Sequence, residues 1–243
     1  MVIHNPAAGS RGRARFLSTL QQLRDRGCTV EVRQTARRGD AETLARAAAQ
    51  EGFDRIVAAG GDGTINEAVN GLAHGKTRAA LALVPLGTAN VLATEIGLEP
   101  NPRAVAAAIV GGVATDVCLG RVRDAEGRSR LFTLMAGAGF DAHVAAGVDH
   151  GLKRWLGKGA YVAEMARQLA VFSFPRYRVT VDGTVHDAAS VVVANARHYG
   201  GAFSCAPDAR LDDPRLHVCL FARSGPVATV AYAVALARGA LVR

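Results

Sequence analysis

The chain has 243 residues, of which 49% are hydrophobic and 21% are charged, and this globular composition excludes wholesale disorder. The formal net charge of +8 favours an anionic partner, which can be nucleic acid, anionic lipid or a phosphorylated substrate. An aromatic content of 5% is too low for a surface that stacks bases, so we expect no nucleic-acid partner.

The cysteines and the apolar segments indicate the cellular compartment of the protein. The four cysteines are scattered without a C-x-x-C pair, which argues against a thiolate zinc site or a disulfide framework and fits a reducing compartment. The N-terminus has no apolar signal region, and no apolar run reaches the roughly 20 residues that a membrane-spanning helix needs. We therefore expect a cytoplasmic protein.

The first half of the chain alternates strand and helix patterns. In chain order we predict a strand ending at residue 4, a helix around 16–23, a strand at 29–34, a helix at 40–51, a strand at 55–59, a helix at 64–72, a strand at 80–84 and a helix at 90–96. This rhythm predicts a doubly wound parallel sheet that binds its ligand beyond the carboxyl ends of the strands.

The second half is mostly antiparallel β. We predict strands at 115–122 and 130–136, a hairpin of 176–181 and 185–194 about Asp182-Gly183, and a strand at 217–222, together with helices at 161–172 and 226–240. The fold class is thus α/β + β, with the change of architecture near residues 114–120.

A glycine-rich turn, Gly60-Gly61-Asp62-Gly63-Thr64, joins a predicted strand to a predicted helix. Its glycines allow the backbone to approach a ligand closely, and the start of the helix offers free N–H groups that suit phosphate. A carboxylate facing a triphosphate needs Mg²⁺ or a hydroxyl partner, which is the role we assign to Asp62. The alternative is an ordinary turn in which Asp62 caps the helix.

Two further loops follow strands at the same edge of the predicted sheet. They are Asn5-Pro6-Ala7-Ala8-Gly9 after the first strand and Pro85-Leu86-Gly87-Thr88-Ala89-Asn90 after the fourth. Because the carboxyl ends of parallel strands meet at one edge, we expect all three loops to converge on one crevice.

Together these segments resemble a known family. The motifs N-P-x-x-G, G-G-D-G-T-x-N-E and P-x-G-T-x-N, with Thr35 ahead of Gly39-Asp40-Ala41, resemble the diacylglycerol kinase catalytic domain, whose relatives include soluble bacterial lipid kinases, sphingosine kinases and NAD kinases. The resemblance implies an α/β nucleotide-binding domain of residues 1–116 and a β-rich, lipid-binding lid domain of residues 117–243. It also implies an enzyme that transfers the γ-phosphoryl group of Mg-ATP to the hydroxyl of a lipid such as diacylglycerol.

The resemblance also assigns roles to individual residues. It makes Asp62 the catalytic residue. The residues expected to contact the nucleotide are Asn5, Pro6, Gly9, Thr35, Gly60, Gly61, Asp62, Gly63, Thr64, Asn66, Glu67, Gly87 and Thr88. Their backbone donors and hydroxyl groups suit phosphate oxygens, while Asp62 and Glu67 can accept hydrogen bonds from a hydroxyl or from metal-bound water. Asn66 can equally pack within its own helix.

The segment from Pro207 to Asp213 resembles the family segment that holds a structural Mg²⁺ in the lid. By position, the ligands are the Asp213 carboxylate and the carbonyl groups of Arg210 and Arg215, an all-oxygen set that suits a hard cation. Pro214 stands where the family usually has glycine, and its fixed φ changes the loop. An acidic turn without metal is the alternative.

One family feature is missing from the sequence. Relatives carry an Asp-Gly-Glu segment after the last helix, whose carboxylate deprotonates the lipid hydroxyl, whereas this chain ends at Arg243 without one. We expect either a truncated version of a longer enzyme or a catalytically inactive nucleotide-binding protein. An NAD kinase-like enzyme is the third alternative, because it shares the G-G-D-G-T loop.

The expected partners follow from the same reading. The segment 153–158 combines three cations with the single tryptophan, as expected for contact with anionic phospholipid headgroups, although a solvated surface is the alternative. We therefore expect a lipid substrate met at the membrane surface and peripheral membrane association. The sequence leaves the oligomeric state open, with a homodimer as one alternative.

Overall fold

The structure is a computed structural model that describes residues 1–9, 12–73, 79–147 and 166–241. The chain forms two compact units. One comprises Met1–Val117 and Arg121–Thr133, and the other comprises Cys118–Gly120 and Leu134–Arg243.

The first unit is built on a parallel sheet with the strand order β2-β1-β3-β4. Its elements are β1 (Val2–His4), α1 (Gly12–Arg24), β2 (Val32–Gln34), α2 (Asp40–Gln50), β3 (Arg55–Gly60), α3 (Asp62–Leu72), β4 (Ala80–Pro85), α4 (Val91–Glu95), α5 (Pro102–Gly111), and the hairpin of β5 (Gly120–Arg123) and β6 (Ser129–Phe132). The predicted α/β architecture with a parallel sheet is confirmed.

Alternating side chains of the sheet produce two buried faces, because successive residues of a strand point to opposite sides. Val2, Val57 and Val84 pack with apolar residues of α1 and α5 in one cluster. Ile3 and Ile56, which alternate with them, are fully buried as well. This two-sided burial explains why the strands are almost continuously apolar, as expected for a sheet covered by helices.

The second unit is mostly antiparallel β, as predicted. Its elements are β7 (Met135–Ala138), α6 (Phe140–Gly147), helical residues 166–171, β8 (Tyr177–Val181), β9 (Thr184–Ala188), β10 (Ser190–Ala194), β11 (His198–Tyr199), β12 (Phe203–Ser204), β13 (His217–Phe221) and α7 (Pro226–Ala237). Strand β10 lies between β13 and β7 in an antiparallel sheet, while β8 pairs with β9 and β11 with β12.

Four of the predicted strands are wrong in extent. The strand predicted at 29–34 is observed only as β2, at Val32–Gln34. Residues 115–119 are not in a strand, and the strand predicted at 115–122 is observed only as β5. The strand predicted at 130–136 is divided into β6 and β7, and the one predicted at 185–194 into β9 and β10. In each divided case the two halves pair with different strands, a change of partner that an uninterrupted apolar pattern does not reveal.

The two late helices differ from their predictions for separate reasons. The helix predicted at 161–172 is seen at residues 166–171, and residues 161–165 lie outside the described residues. Helix α7 ends at Ala237 rather than residue 240, because Gly239 adopts a φ of 64° and the Ala240 N–H donates to the Ala235 carbonyl, as in a helix-terminating motif.

Within the part of the chain that the structure describes, no helix combines the length and the apolar character needed to cross a membrane.

Candidate functional site

The loops after β1, β3 and β4 touch one another through glycine backbones. A Cβ atom on Gly9 would lie 2.3 Å from the carbonyl oxygen of Leu86, and a Cβ atom on Gly87 would lie 2.6 Å from the Cα atom of Gly61. Gly9 also has a φ of 69°, which favours glycine. Since no larger residue fits without a shift of the backbone, the convergence of the three loops depends on these glycines.

A side-chain hydrogen bond ties the first loop to helix α3. The Asn5 Nδ2 donates to Thr64 Oγ1 over 3.0 Å, and its Oδ1 accepts the N–H of Ala7 over 3.0 Å. Thr64 is buried, and a Cβ atom on Gly60 would lie 2.5 Å from its hydroxyl oxygen. Asn5 therefore fixes the first loop against the start of α3. This structural role could not be inferred from the position of Asn5 in the sequence motif.

The start of α3 lies at an open surface. The first N–H to bond within the helix is that of Ile65, which donates to the Gly61 carbonyl, so the N–H groups of Asp62, Gly63 and Thr64 need partners outside the helix. Gly63 is exposed, and a Cβ atom built there meets nothing within 4 Å. Free N–H groups at the positive end of an 11-residue helix suit an anion such as a phosphate group.

Asp62 connects α3 to the loop after β4. Its Oδ1 accepts the N–H of Leu92 over 3.0 Å and so caps the first turn of α4 from another segment of the chain. Its Oδ2 accepts no hydrogen bond within the described part of the chain. One oxygen of the Asp62 carboxylate thus links α3 to α4, and the other oxygen is available to a ligand.

Asn90 is a member of this loop cluster that the sequence prediction did not include among the site residues. It has a left-handed φ of 48°, and its Nδ2 donates to the Gly87 carbonyl over 2.9 Å. Its Oδ1 is buried without a hydrogen-bond partner among the described residues. The signal for Asn90 was its place in the P-x-G-T-x-N motif.

Thr35 lies at the same edge of the sheet, at the end of β2. Its N–H donates to the His4 carbonyl over 2.9 Å, which places it beside the first loop. The Asp40 carboxylate accepts the N–H groups of Ala36 and Arg37 over 2.8 and 2.9 Å, and these hydrogen bonds lower the pKa of Asp40. The loop after β2 is therefore fixed by an internal carboxylate.

Two of the predicted nucleotide contacts bind protein backbone. The Asn66 amide donates to the carbonyl of Leu131 and accepts the N–H of Thr133, both over 3.2 Å. Glu67 accepts the N–H of Ala41, at the start of α2, over 3.3 Å. Their nucleotide contacts remain predictions, and the structure gives both residues a role in holding α3 in place.

The structure therefore brings most of the predicted site together. The three loops that meet contain the predicted residues Asn5, Pro6, Gly9, Gly60, Gly61, Asp62, Gly63, Thr64, Gly87 and Thr88. The predicted metal ligands Arg210, Asp213 and Arg215 belong to the second unit.

In the predicted metal segment the Asp213 carboxylate is paired with Arg215, and Mg²⁺ binding there stays a prediction. Both oxygens of the Asp213 carboxylate are held by the Arg215 guanidinium at 2.6–3.0 Å, and its Oδ1 also accepts the Arg215 N–H over 3.0 Å. These contacts lower the pKa of Asp213 to about 2. The carbonyl of Arg210 accepts the Asp213 N–H over 3.1 Å. A divalent cation would have to displace Arg215 from Asp213.

Among the residues with described positions, no group of three or more histidine, cysteine, aspartate or glutamate side chains could hold a metal ion.

Comparison of the chain with models of protein families identifies its family. The diacylglycerol kinase catalytic domain model matches residues 1–122, which include all three loops. The chain belongs to the diacylglycerol kinase catalytic domain family. Residues 135–243 match a second model, the YegS C-terminal NAD kinase beta sandwich-like domain.

Individual relatives agree with this assignment. The chain is 33% identical to a Pseudomonas aeruginosa protein named "Probable lipid kinase YegS-like", over 90% of this chain and 70% of that protein. It is 30% identical to the diacylglycerol kinase of Bacillus subtilis, over 98% of this chain and 78% of that enzyme. A solved diacylglycerol kinase structure from Bacillus anthracis shares the fold, with a TM-score of 0.75 and 24% identity over 100% of this chain and 80% of that one.

Proposed function

We propose that the protein is an ATP-dependent lipid kinase that transfers the γ-phosphoryl group of Mg-ATP to the hydroxyl group of diacylglycerol or a similar lipid. The observation that carries this proposal is the convergence of three glycine-containing loops at the open start of α3. Phosphoryl transfer depends mainly on positioning the phosphates and balancing their charge, and a glycine cradle with free N–H groups serves both needs.

The roles of the residues follow from their contacts. The N–H groups of Asp62, Gly63 and Thr64 would bind phosphate oxygens, with Thr35 and Thr88 as further donors at the same edge. The free Oδ2 of Asp62 would hold the Mg²⁺ of the nucleotide or accept the hydrogen bond of the lipid hydroxyl. The Mg²⁺ supplied with ATP would neutralise charge on the phosphates.

The proposal places the lipid substrate at a membrane surface. The chain carries a net charge of +8, and anionic headgroups attract such a protein. The segment 153–158, for which we predicted headgroup contact, lies outside the described residues.

An NAD kinase-like activity is the second candidate. It is favoured by one specific observation, the match of residues 135–243 to a domain described as NAD kinase beta sandwich-like. The match of residues 1–122 to the diacylglycerol kinase catalytic domain favours the lipid as acceptor.

The test is transfer of labelled γ-phosphate from ATP to lipid in mixed detergent micelles, comparing the wild type with Asp62→Asn and Asp62→Ala. Asparagine keeps an oxygen that can accept the Leu92 N–H, so this variant removes the charge and leaves the cap of α4 in place. We expect Asp62→Asn to lower the transfer rate by about 100-fold or more while leaving the melting temperature close to that of the wild type.

The alanine variant separates the two functions of Asp62. Its phosphoryl transfer rate should fall to a similar extent, and its melting temperature should be lower than that of the wild type, because the Leu92 N–H loses its acceptor. Wild-type activity in Asp62→Asn would contradict the role of the Asp62 charge. Binding of ATP by the wild type without transfer to any lipid would contradict the kinase proposal and favour the inactive nucleotide-binding protein.

A further inference from the structure

Two of the four free cysteines, Cys205 and Cys219, lie next to each other. The Cys219 thiol donates a hydrogen bond over 3.1 Å to the carbonyl oxygen of Cys205, and both thiols are free. The other two cysteines lie elsewhere: Cys28 packs against the core of the first unit, and the N–H of Cys118 donates to the Leu211 carbonyl. Only the first pair is placed for a reaction between two thiols of one molecule.

The fold holds both backbone positions of this pair. Cys219 lies in the middle of β13, in register with Val192 of β10, and Cys205 follows β12 directly. Cys205 is 2% exposed and packs in the same apolar cluster as Val192 and Cys219. Because the Cys219 sulfur already lies against the backbone of Cys205, a disulfide can form without separating these elements, provided that the bond adopts its usual length and dihedral angle.

A cavity gives access to the pair. It has a volume of about 320 Å³ and is lined by both cysteine residues together with His217, Asp208 and Tyr232. The Nε2 atom of His217 is buried without a hydrogen-bond partner among the described residues. The cavity is therefore partly polar, and it is large enough for a small polar oxidant such as hydrogen peroxide.

We propose that Cys205 and Cys219 are a modification site, at which a peroxide converts the two thiols into a reversible intramolecular disulfide. The thiolate of Cys219 attacks one peroxide oxygen, the O–O bond breaks, and the products are a sulfenic acid and one water molecule. The Cys205 sulfur then attacks the sulfenic sulfur and releases a second water molecule. Two thiols and one hydrogen peroxide thus give one disulfide and two waters, and the peroxide takes up both electrons.

The order of the two steps follows from burial, because Cys219 is partly exposed and meets the peroxide first, whereas Cys205 is buried. The hydrogen bond from Cys205 lowers the pKa of Cys219, and a more acidic thiol supplies more of the nucleophilic thiolate. The same bond is the largest cause of the raised pKa of Cys205.

The disulfide would close a loop that contains the predicted metal segment. Residues 206–218 run between the two cysteines and include Arg210 and Asp213. Because a cross-link restricts the unfolded chain, we expect oxidation to raise the melting temperature of the protein, on the order of 5 °C for a loop of about 15 residues.

The test uses the full chain and hydrogen peroxide, followed by alkylation of the remaining thiols and tryptic digestion without reductant. Cleavage after arginine releases Cys205 in the peptide 198–210 and Cys219 in the peptide 216–223. We expect these peptides to be joined with the loss of two hydrogen atoms, and to separate on addition of dithiothreitol. The double variant Cys28→Ser with Cys118→Ser, which keeps only the proposed pair, should form the same link.

Other results would overturn the proposal. Alkylation of both Cys205 and Cys219 after peroxide has oxidised Cys28 or Cys118 would show that the pair does not react. A sulfinic or sulfonic acid at Cys219 without a link, or a link only between molecules, would exclude the intramolecular disulfide. The wild-type result is decisive by itself, and it does not depend on kinase activity, so failure of this proposal is distinguishable from failure of the proposed function.

Discussion

His4 ends β1 with its ring stacked on that of Phe16, with the two ring centres 3.8 Å apart and the planes 7° from parallel. The side chain is buried, its Nδ1 atom has no hydrogen-bond partner among the described residues, and burial lowers its pKa below the usual 6.5. A positive charge at this position would therefore be poorly compensated.

Protonation of His4 should make the protein less stable in mild acid. The unfolded chain binds the proton more readily, so stability is fully present above pH 6.5 and falls as the pH drops through and below that value. His4→Phe should keep the stack and weaken this pH dependence, as measured by urea unfolding at neutral and mildly acidic pH. The control is His186→Gln, on the β8–β9 hairpin. An unchanged pH dependence in His4→Phe would contradict the assignment.

Arg215 is paired with the Asp213 carboxylate, which a metal ion in the second unit would need as a ligand. This ion pair leads to a second prediction about single residues. Without nucleotide, Mg²⁺ should leave the melting temperature of the wild type unchanged, because Asp213 is already paired. Arg215→Ala should acquire a Mg²⁺-dependent increase, since the carboxylate becomes available. Arg210→Ala is the matched control, because Arg210 pairs with Asp212 instead. A Mg²⁺-dependent increase in the wild type would show that the cation displaces Arg215.

At the scale of elements, the contact between α2 and α3 depends on one glycine. A Cβ atom on Gly71 would lie 2.2 Å from the Glu42 carbonyl oxygen and 2.9 Å from the Ala45 Cβ atom. Gly71→Ala should therefore force the helices apart and lower the free energy of unfolding by about 1–3 kcal/mol. Gly111→Ala is the matched control in α5, where nothing lies within 4 Å, and helix propensity should raise stability by up to about 1 kcal/mol. Equal effects of the two substitutions in denaturant unfolding would contradict this packing.

Two asparagines of α3 hold the β5–β6 hairpin. The Asn70 side chain donates to the carbonyl and accepts the N–H of Leu131, both over 2.9 Å. The Asn66 amide bonds the same carbonyl and the N–H of Thr133, the residue that follows β6. The double variant Asn66→Ala with Asn70→Ala should speed amide hydrogen exchange in β6, because its backbone groups lose their partners. The β8–β9 hairpin provides an internal control, since it belongs to the second unit. Unchanged exchange in β6 would show that other contacts hold the hairpin.

These asparagines also show where sequence reasoning fails at this scale. A pattern of apolar residues identifies a strand, but not the strand or helix that it pairs with. The predicted strand at 130–136 is divided between residues 132 and 135, and its first part is held by side chains of α3, more than 60 positions earlier in the chain. Such long-range polar contacts leave no periodic signal in the sequence.

At the scale of the whole molecule, the parallel sheet and the meeting of its loops were predictable. Both follow from the alternation of strands and helices and from the glycines at the strand ends. The structural role of the site residues was not predictable from the sequence. Asp62 caps α4, and Asn5 binds Thr64. The motif residues that we expect to bind the nucleotide thus also hold the loops together, and the sequence alone does not separate these two functions.

The most direct test of the proposed function offers the wild-type protein labelled ATP, Mg²⁺ and two acceptors at once, diacylglycerol in mixed micelles and NAD. Extraction with organic solvent separates phosphorylated lipid from phosphorylated NAD, so one reaction reports on both. We predict label in the lipid fraction, and loss of that label in Asp62→Asn. Label in the aqueous dinucleotide, or none in either acceptor, would contradict a lipid kinase.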